Sequence, residues 1–296
     1  MSIAMLRTLI AIHDLGSFSA AAEAVSVTQA AVSQQMRTLE HQWSVALFDR
    51  SRRPPALTAS GRALAERARP VVNGYDALAP TAFDGLTLRG ECRLGSVPTA
   101  LTGLVPLAVQ TLDGRVPQLR INIVSGLTHA LIADVQQGRL DMALVSRPRV
   151  LEDDLSWHAV ADEPLELIVP PECAVEPVEQ LLRQRPFIRF ARAAIVGELT
   201  EAWLQQRGIA VQERMVVEEL QATAHLVMST RSVAIVPRQC VETLRPVPVS
   251  RLSLGTDAPV RQLGLVCLAT VGQNALLRVV ADALRDAVEI GHFDAT

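Results

Sequence analysis

Between Thr28 and Trp43 the sequence carries two stripes at helical spacing, and the pair admits few folds. Val32, Met36, Leu39 and Trp43 recur at steps of four, three and four, while Gln29, Ser33 and Arg37 recur at steps of four on another side of the same helix. The first stripe demands a packing partner. The second displays amide, hydroxyl and guanidinium groups, which meet base edges and phosphates in a DNA major groove, although such a face also serves as a plain solvated surface. Upstream, Leu6, Leu9, Ile10 and Ile12 mark a helix that ends at Gly16, and Ser19 stands where a second helix would be capped. Ala20, Ala21 and Ala22 let a neighbouring helix approach closely, and Ser26-Val27 leaves room for a tight turn only. A short helix, a tight turn and a longer helix form a helix-turn-helix.

The next segment strengthens this reading. Leu47-Phe48-Asp49-Arg50-Ser51-Arg52-Arg53-Pro54-Pro55-Ala56-Leu57-Thr58 places three arginines in a proline-stiffened hairpin between apolar anchors. Such a wing reaches backbone phosphates or the minor groove; a solvated basic loop is the alternative. Residues 1–70 hold eight arginines against five carboxylates although the whole chain has a net charge of −3, so the N-terminal end is the candidate polyanion binder.

Taken in order, Phe18-Ser19-Ala20-Ala21-Ala22, Val27-Thr28-Gln29-Ala30-Ala31-Val32-Ser33-Gln34-Gln35-Met36, Leu39-Glu40, Leu47-Phe48-Asp49-Arg50 and Leu57-Thr58-Ala59-Ser60-Gly61 resemble the winged-helix signature of the LysR-type transcriptional regulators. The resemblance covers essentially the whole chain, most closely through about residue 65. It implies an α/β fold class: an N-terminal winged helix-turn-helix over 1–58, a linker and dimerisation helix over 59–88, and a two-lobed effector domain like periplasmic binding proteins over 89–296. Lobe I would take 89–161 and 264–296, and lobe II 162–263. The family's major-groove positions fall on Gln29, Ala30, Ser33, Gln34 and Arg37, and its wing contacts on Arg50 and Arg53. Ala30 stands where many members carry Pro, which leaves the helix start less rigid without removing a hydrogen-bonding group. The implied partners are double-stranded promoter DNA, further copies of the chain in a homodimer or homotetramer, and RNA polymerase. A small-molecule effector is implied, and no cofactor.

Leu57, Gly61, Leu64, Ala68, Val71, Tyr75, Leu78 and Ala82 alternate steps of four and three, the spacing of a coiled-coil seam. Pro70, Gly74 and Pro80 interrupt it, and each interior Pro costs on the order of 3 kcal/mol, so a kinked or shortened seam is expected. One amphipathic helix packed within its own chain is the alternative; the family resemblance favours pairing of two subunits.

Beyond Gly90 the pattern changes. Short β-rich runs at 91–95, 119–124, 142–145 and 165–169 are separated by helical stretches at 101–112 and 127–137, and similar units recur at 187–190, 200–207, 215–217, 220–228 and 233–236. The family resemblance divides this region into two lobes joined by crossover strands near Ala161 and Leu263, with the last helix, around 275–290, returning to the first lobe. Effectors would enter the cleft between lobes, where strand ends and helix N-termini favour a small anion such as an organic acid or amino acid. The matching positions are Ser96 and Thr99 after the first strand, Ser125 and Thr128 after the second, and Arg192 and Thr223 from the second lobe, with Arg147 and Arg189 as sources of charge. Helix capping is an equal role for the hydroxyls, and a surface ion pair is the expectation for Arg147 and Arg189. Where the family has a Gly-rich turn this chain has Ser229-Thr230-Arg231-Ser232, whose side chains would narrow the cleft.

The rival readings are a solute-binding protein without DNA function and an unrecognised α/β enzyme. The first leaves the reading helix and the arginine wing unexplained. The second finds no GxSxG turn, P-loop, GxGxxG or HExxH, and hence no catalytic residue. Cys92, Cys173, Cys240 and Cys267 form no CxxC pair and the six histidines have no ligand spacing, so no metal site is expected and the thiols read as buried groups of a reducing cytoplasm. No apolar run suits a membrane span and no export signal opens the chain, so a cytoplasmic location is expected.

Overall fold

The computed structural model describes residues 2–49, 51, 55–76, 88, 90–241, 247–271 and 274–291, and the chain divides into two compact units, 1–85 with 136–139 and 86–135 with 140–296. In the first, α1 (Ile3–Leu15) stops at Gly16, whose φ of +68° turns its N–H back onto the Ile12 carbonyl. α2 (Phe18–Ala24) begins earlier than the sequence suggests. Ser17, not Ser19, is its cap, with Oγ accepting from Ala20 N at 3.1 Å, and this start puts Phe18 inside the helix with its ring 5.0 Å from that of Phe48. α3 (Gln29–Trp43) follows after one turn, capped by Thr28, whose Oγ1 accepts from Ala31 N. Its Val32, Met36 and Leu39 are buried with Leu9, Ile12, Ala21 and Leu47.

β1 (Phe48–Asp49) and β2 (Ala56–Leu57) pair antiparallel as the base of the wing. Two contacts tie that base to the helices. Glu40 Oε1 accepts from the N–H groups of Leu47 and Phe48, and Thr58 N donates to Leu47 O. A Cβ at Gly61 would lie 2.3 Å from that same Leu47 oxygen, so only glycine fits beneath the wing.

α4 (Ala59–Asp76) runs through Pro70 and divides the expected coiled-coil seam. Leu64 and Ala68 turn inward, Ala68 joining Leu6 and Val72 in a small cluster with Ile3, Ile10 and Trp43, whereas Val71 and Tyr75 remain exposed. The pattern alone could not separate the two faces, because α1 and a partner helix make the same apolar demand. Leu78, Pro80 and Ala82 lie outside the described residues.

In the second unit, β3 (Gly90–Ser96), α5 (Leu104–Arg115), β4 (Leu119–Ser125), α6 (Thr128–Gln136) and β5 (Met142–Ser146) form successive α/β units, with β4 and β5 both parallel to β3. A long strand, β6 (Leu155–Val169), leads to α7 (Val178–Gln184), β7 (Pro186–Phe190), α8 (Ile195–Gln206), β8 (Gln212–Val217), α9 (Leu220–Thr230), β9 (Ala234–Pro237) and β10 (Ser250–Ser253). β11 (Val260–Leu268) and α10 (Ala275–Gly291) complete the described chain. The main sheet runs β10-β6-β11-β5-β3-β4, with β9 also paired to β6, while β7 and β8 form a separate parallel pair.

β6 and β11 pair antiparallel along their length, Leu263 opposite Ala161, with an irregularity between Leu263 and Gly264. One end of this ladder enters a core with Leu94, Leu144, Leu265 and the α10 residues Leu277 and Leu284; the other enters a second core with Leu165, Leu167, Phe187 and Ile235. The chain thus has two lobes joined by two strands, and its last helix returns to the first lobe. β6 extends well upstream of the 165–169 run because pairing with β11 holds Asp162, Glu163 and Pro164 in a strand that their polarity hides in sequence. Two helices shift for local reasons. The one expected at 101–112 begins at Leu104, after a 3-10 turn over Pro98–Ala100, and the one expected at 200–207 begins at Ile195, where β-branched residues mask the helical signal.

Candidate nucleic-acid interface and effector site

On α3 the buried stripe fixes the opposite face. Gln29, Ala30, Gln34 and Arg37 are exposed and Ser33 is half-buried. Among the described residues, no intramolecular hydrogen bond engages the side chains of Gln29, Ser33, Gln34 or Arg37. Their neighbour Gln35 differs, since its Oε1 accepts from Thr8 Oγ1 at 2.5 Å. The helix therefore presents a set of polar groups held by a packed backbone and committed to nothing among the described residues. Arg50 and Arg53 lie outside the described residues, although the hairpin base that would carry them is defined by β1 and β2.

The first-lobe positions expected for an effector gather where the parallel strands end. Ser96 closes β3 opposite Ser125 on β4, Gly126 N donates to Ser96 O, and Thr128 opens α6. Arg147 follows β5. These side chains differ in what they have left to give. Ser96 is fully buried and its Oγ donates to Val97 O at 3.1 Å, whereas the hydroxyls of Ser125 and Thr128 make no hydrogen bond among the described residues. Thr99 accepts from Arg261 Nη1 at 2.6 Å, which leaves its own O–H free to donate. Arg147 forms no surface ion pair among the described residues. Its Nη1 donates to Gln262 Oε1 at 3.1 Å, and its guanidinium carbon lies 5.6 Å from the centre of the Trp157 ring. Trp157 in turn covers Gly264, where a Cβ would come within 2.2 Å of the indole.

From the second lobe, Arg192 is exposed and pairs with Glu213 on β8, and Arg189 is nearly buried between Glu201 and Glu213. Burial opposes the charge of Glu213, but the hydrogen bonds and charges of Arg189 and Arg192 outweigh it and hold the carboxyl below the ordinary range. Thr223 is fully buried, with Oγ1 donating to Glu219 O at 2.8 Å.

Sequence reasoning missed the group between these two sets. Glu163 on β6 and Arg261 on β11 face each other in register, each with a side chain 2% exposed. Arg261 Nε and Nη2 both donate to Glu163 Oε2, and Glu163 Oε1 accepts from Cys240 N at 2.9 Å. Gln239 Nε2 donates to Thr99 O at 2.6 Å. One buried ion pair thus joins a first-lobe loop, both crossover strands and the segment that follows β9. The cue in sequence was a lone Glu and a lone Arg, each in a strand entering a core.

Residues 3–62 match the bacterial regulatory helix-turn-helix family of lysR type, and residues 86–289 match the LysR substrate binding domain. The chain belongs to the LysR family. Among curated LysR-type relatives, it is 28% identical over 302 residues to a probable hydrogen peroxide-inducible genes activator of Mycobacterium leprae, covering 98% of this chain and 96% of that protein. It is 34% identical over 187 residues to the regulator CbbR of Sinorhizobium medicae, covering 62% of this chain and 59% of CbbR. Among solved structures, a point variant of full-length OxyR from Pseudomonas aeruginosa superposes with a TM-score of 0.77 at 21% identity, over 100% of this chain and 99% of that one. Full-length CbnR in complex with its target DNA gives 0.65 at 20% identity, over 97% and 100%. These structures share the fold of the LysR family member described here.

The cysteines set this chemistry apart from that of a reactive-thiol site. Burial, with the carboxylate of Asp141 nearby, pushes the Cys92 thiol up to about 12, and burial likewise raises Cys173, Cys240 and Cys267. None is poised as a thiolate. Among the described residues no cluster of His, Cys, Asp and Glu could hold a metal ion, and no helix is long and apolar enough to cross a membrane.

Proposed function

We propose that this LysR-type regulator binds promoter DNA as a homodimer or homotetramer, with α3 in the major groove, and that a small molecule at the carboxyl ends of β3, β4 and β5 adjusts the binding. The observation that carries the reading is the face of Gln29, Ser33, Gln34 and Arg37, whose side chains are spent on nothing among the described residues. Ala30 gives that face its close approach, and Arg50 and Arg53 extend it along the phosphates. Residues 1–58 read DNA, 59–88 link and pair subunits through Val71 and Tyr75, and 89–296 sense, lobe I taking 89–161 with 264–296 and lobe II 162–263. The complex works in the cytoplasm alongside RNA polymerase and performs no catalysis.

The effector is a small organic acid or amino acid bound without covalent chemistry. Thr99, Ser125 and Thr128 retain hydroxyl donors for its oxygens, Arg147 and Arg192 supply charge from the two lobes, and Ser96 and Thr223 offer lone pairs only. Four thiols held above their ordinary range argue against a peroxide-reactive cysteine, because the thiolate is the nucleophile.

Electrophoretic mobility shift on DNA upstream of the protein's own gene tests the first part. Arg37→Ala should weaken binding and flatten its salt dependence while the protein stays folded; unchanged affinity and salt slope would sink the placement. A thermal-shift screen of small carboxylates tests the second. A compound that stabilises the wild type should stabilise Thr128→Ala less, and equal shifts would move the site elsewhere.

A further inference from the structure

Arg69 is a buried charged residue of the linker helix. It is only 5% exposed, in contrast to the exposed Arg67, and its Nη2 pairs with Asp14 Oδ1 and lies 3.3 Å from His13 Nδ1. His13 Nδ1 is itself 3.0 Å from the Asp14 carboxylate. These are the closing residues of α1, where the helix dipole favours a guanidinium. Burial works against the Asp14 charge, but the hydrogen bonds from Arg69 and His13 prevail and hold its carboxyl below the ordinary range. Arg69 Nε is buried with no hydrogen-bond partner among the described residues, a cost in stability that the arrangement carries.

The apolar contact around this clasp is a poor guide to register. It is made by Leu6, Ala68 and Val72 with Ile3, Ile10 and Trp43 at its edge, non-directional apolar contacts that do not by themselves set an angle, whereas an ion pair of fixed partners does. The clasp also sits at the helix's weak point. Pro70 has no N–H for the helical ladder and disfavours helical backbone in the residue before it, and that residue is Arg69. Past Pro70, Val72 still packs on Leu6 while Val71 and Tyr75, on the other side of α4, are exposed, so the clasp lies just before the last turn that α4 shares with the reading unit.

We propose that the Asp14–Arg69 clasp at Pro70 is a specificity determinant, fixing the direction in which α4 leaves each reading unit and hence the spacing between half-sites that paired units accept. The proposal rests on the DNA-binding reading given above. One added base pair turns a half-site by on the order of 35° about the duplex axis, so a rigid exit angle makes spacing a sharp variable.

The test uses the full-length chain and a duplex selected by the wild type from a random-sequence library. The spacer between its half-sites is then lengthened or shortened in single base pairs. Wild-type affinity should fall about tenfold per step, whereas Asp14→Asn and Arg69→Met should reduce the fall to below about threefold while binding an isolated half-site as the wild type does. Asp14→Glu should restore the steep dependence. Asp14 is 42% exposed, so Asp14→Asn keeps the fold, which circular dichroism checks. A folded Asp14→Asn with the wild-type spacer profile overturns the clasp alone. A wild type that selects no duplex overturns the DNA-binding reading, and the clasp with it.

Discussion

The face of α3 and the strand ends of the first lobe are both polar surfaces on apolar scaffolds, yet they handle their polar groups in opposite ways. Gln29, Ser33, Gln34 and Arg37 are left unspent on a helix whose other side is locked by Val32, Met36 and Leu39. At the strand ends, Ser96 donates to the Val97 carbonyl, Thr99 accepts from Arg261 and Arg147 leans on Gln262 and Trp157, while in the second lobe Arg192 is held by Glu213. The first surface is preorganised for a polyanion that arrives fully formed. The second is only partly satisfied: Thr99, Ser125 and Thr128 keep hydroxyls to give, but a ligand that recruits the arginines must replace bonds they already make, and replacement moves the groups that held them. A reading surface must not change shape on binding; a sensing surface must.

The sharpest way to break this contrast is through Arg261. Arg261→Met leaves the Glu163 carboxylate buried and unpaired and should lower unfolding free energy in urea by about 3–5 kcal/mol, while Glu163→Gln/Arg261→Met should recover most of that loss. Arg37→Ala should cost about 1–3 kcal/mol in DNA binding and leave the urea midpoint where it was; a lowered midpoint would mean that α3 is not free of internal commitments. Thr99→Val removes an acceptor from Arg261 and should cost about 1–2 kcal/mol of stability. Ser33→Ala, on the unspent face, should stay within about 0.5 kcal/mol of wild type.

The smallest expected effect depends on pH. The folded pKa of Glu213 lies below its ordinary 4.5, so its pairing with Arg189 and Arg192 stabilises the protein above that value and is lost as pH falls through the lowered folded value. Thermal melts taken from pH 6 down to pH 3 should show a shallower decline for Glu213→Gln than for wild type. Parallel declines would show that the arginines do not depend on this carboxylate.

The two surfaces were unequally legible in sequence for the same reason that they differ in structure. The reading helix is a local object: one stripe packs, one is displayed, and spacing alone separates them. Even there the cap falls on Ser17 rather than Ser19, a start that places Phe18 inside α2 with its ring tilted against that of Phe48, a contact distant in sequence. The α4 seam was visible as a period, but not the division between Ala68, packed on α1, and the exposed Val71. At the strand ends the turns after β3 and β4 were marked by hydroxyls. The Glu163–Arg261 pair was not, since its members are far apart in sequence and meet only through the register of β6 and β11.

That register has an optical consequence. The Trp157 indole closely approaches Gly264 at the irregularity in β11, with the Arg147 guanidinium over its ring. Of the three tryptophans, Trp43 belongs to the reading unit and Trp203 to the core of the second lobe, so Trp157 alone watches the strands that join the lobes. Indole emission responds to a nearby cation and to local polarity. The chain therefore carries its own fluorophore at the joint, one whose colour and intensity report whether the two strands have shifted.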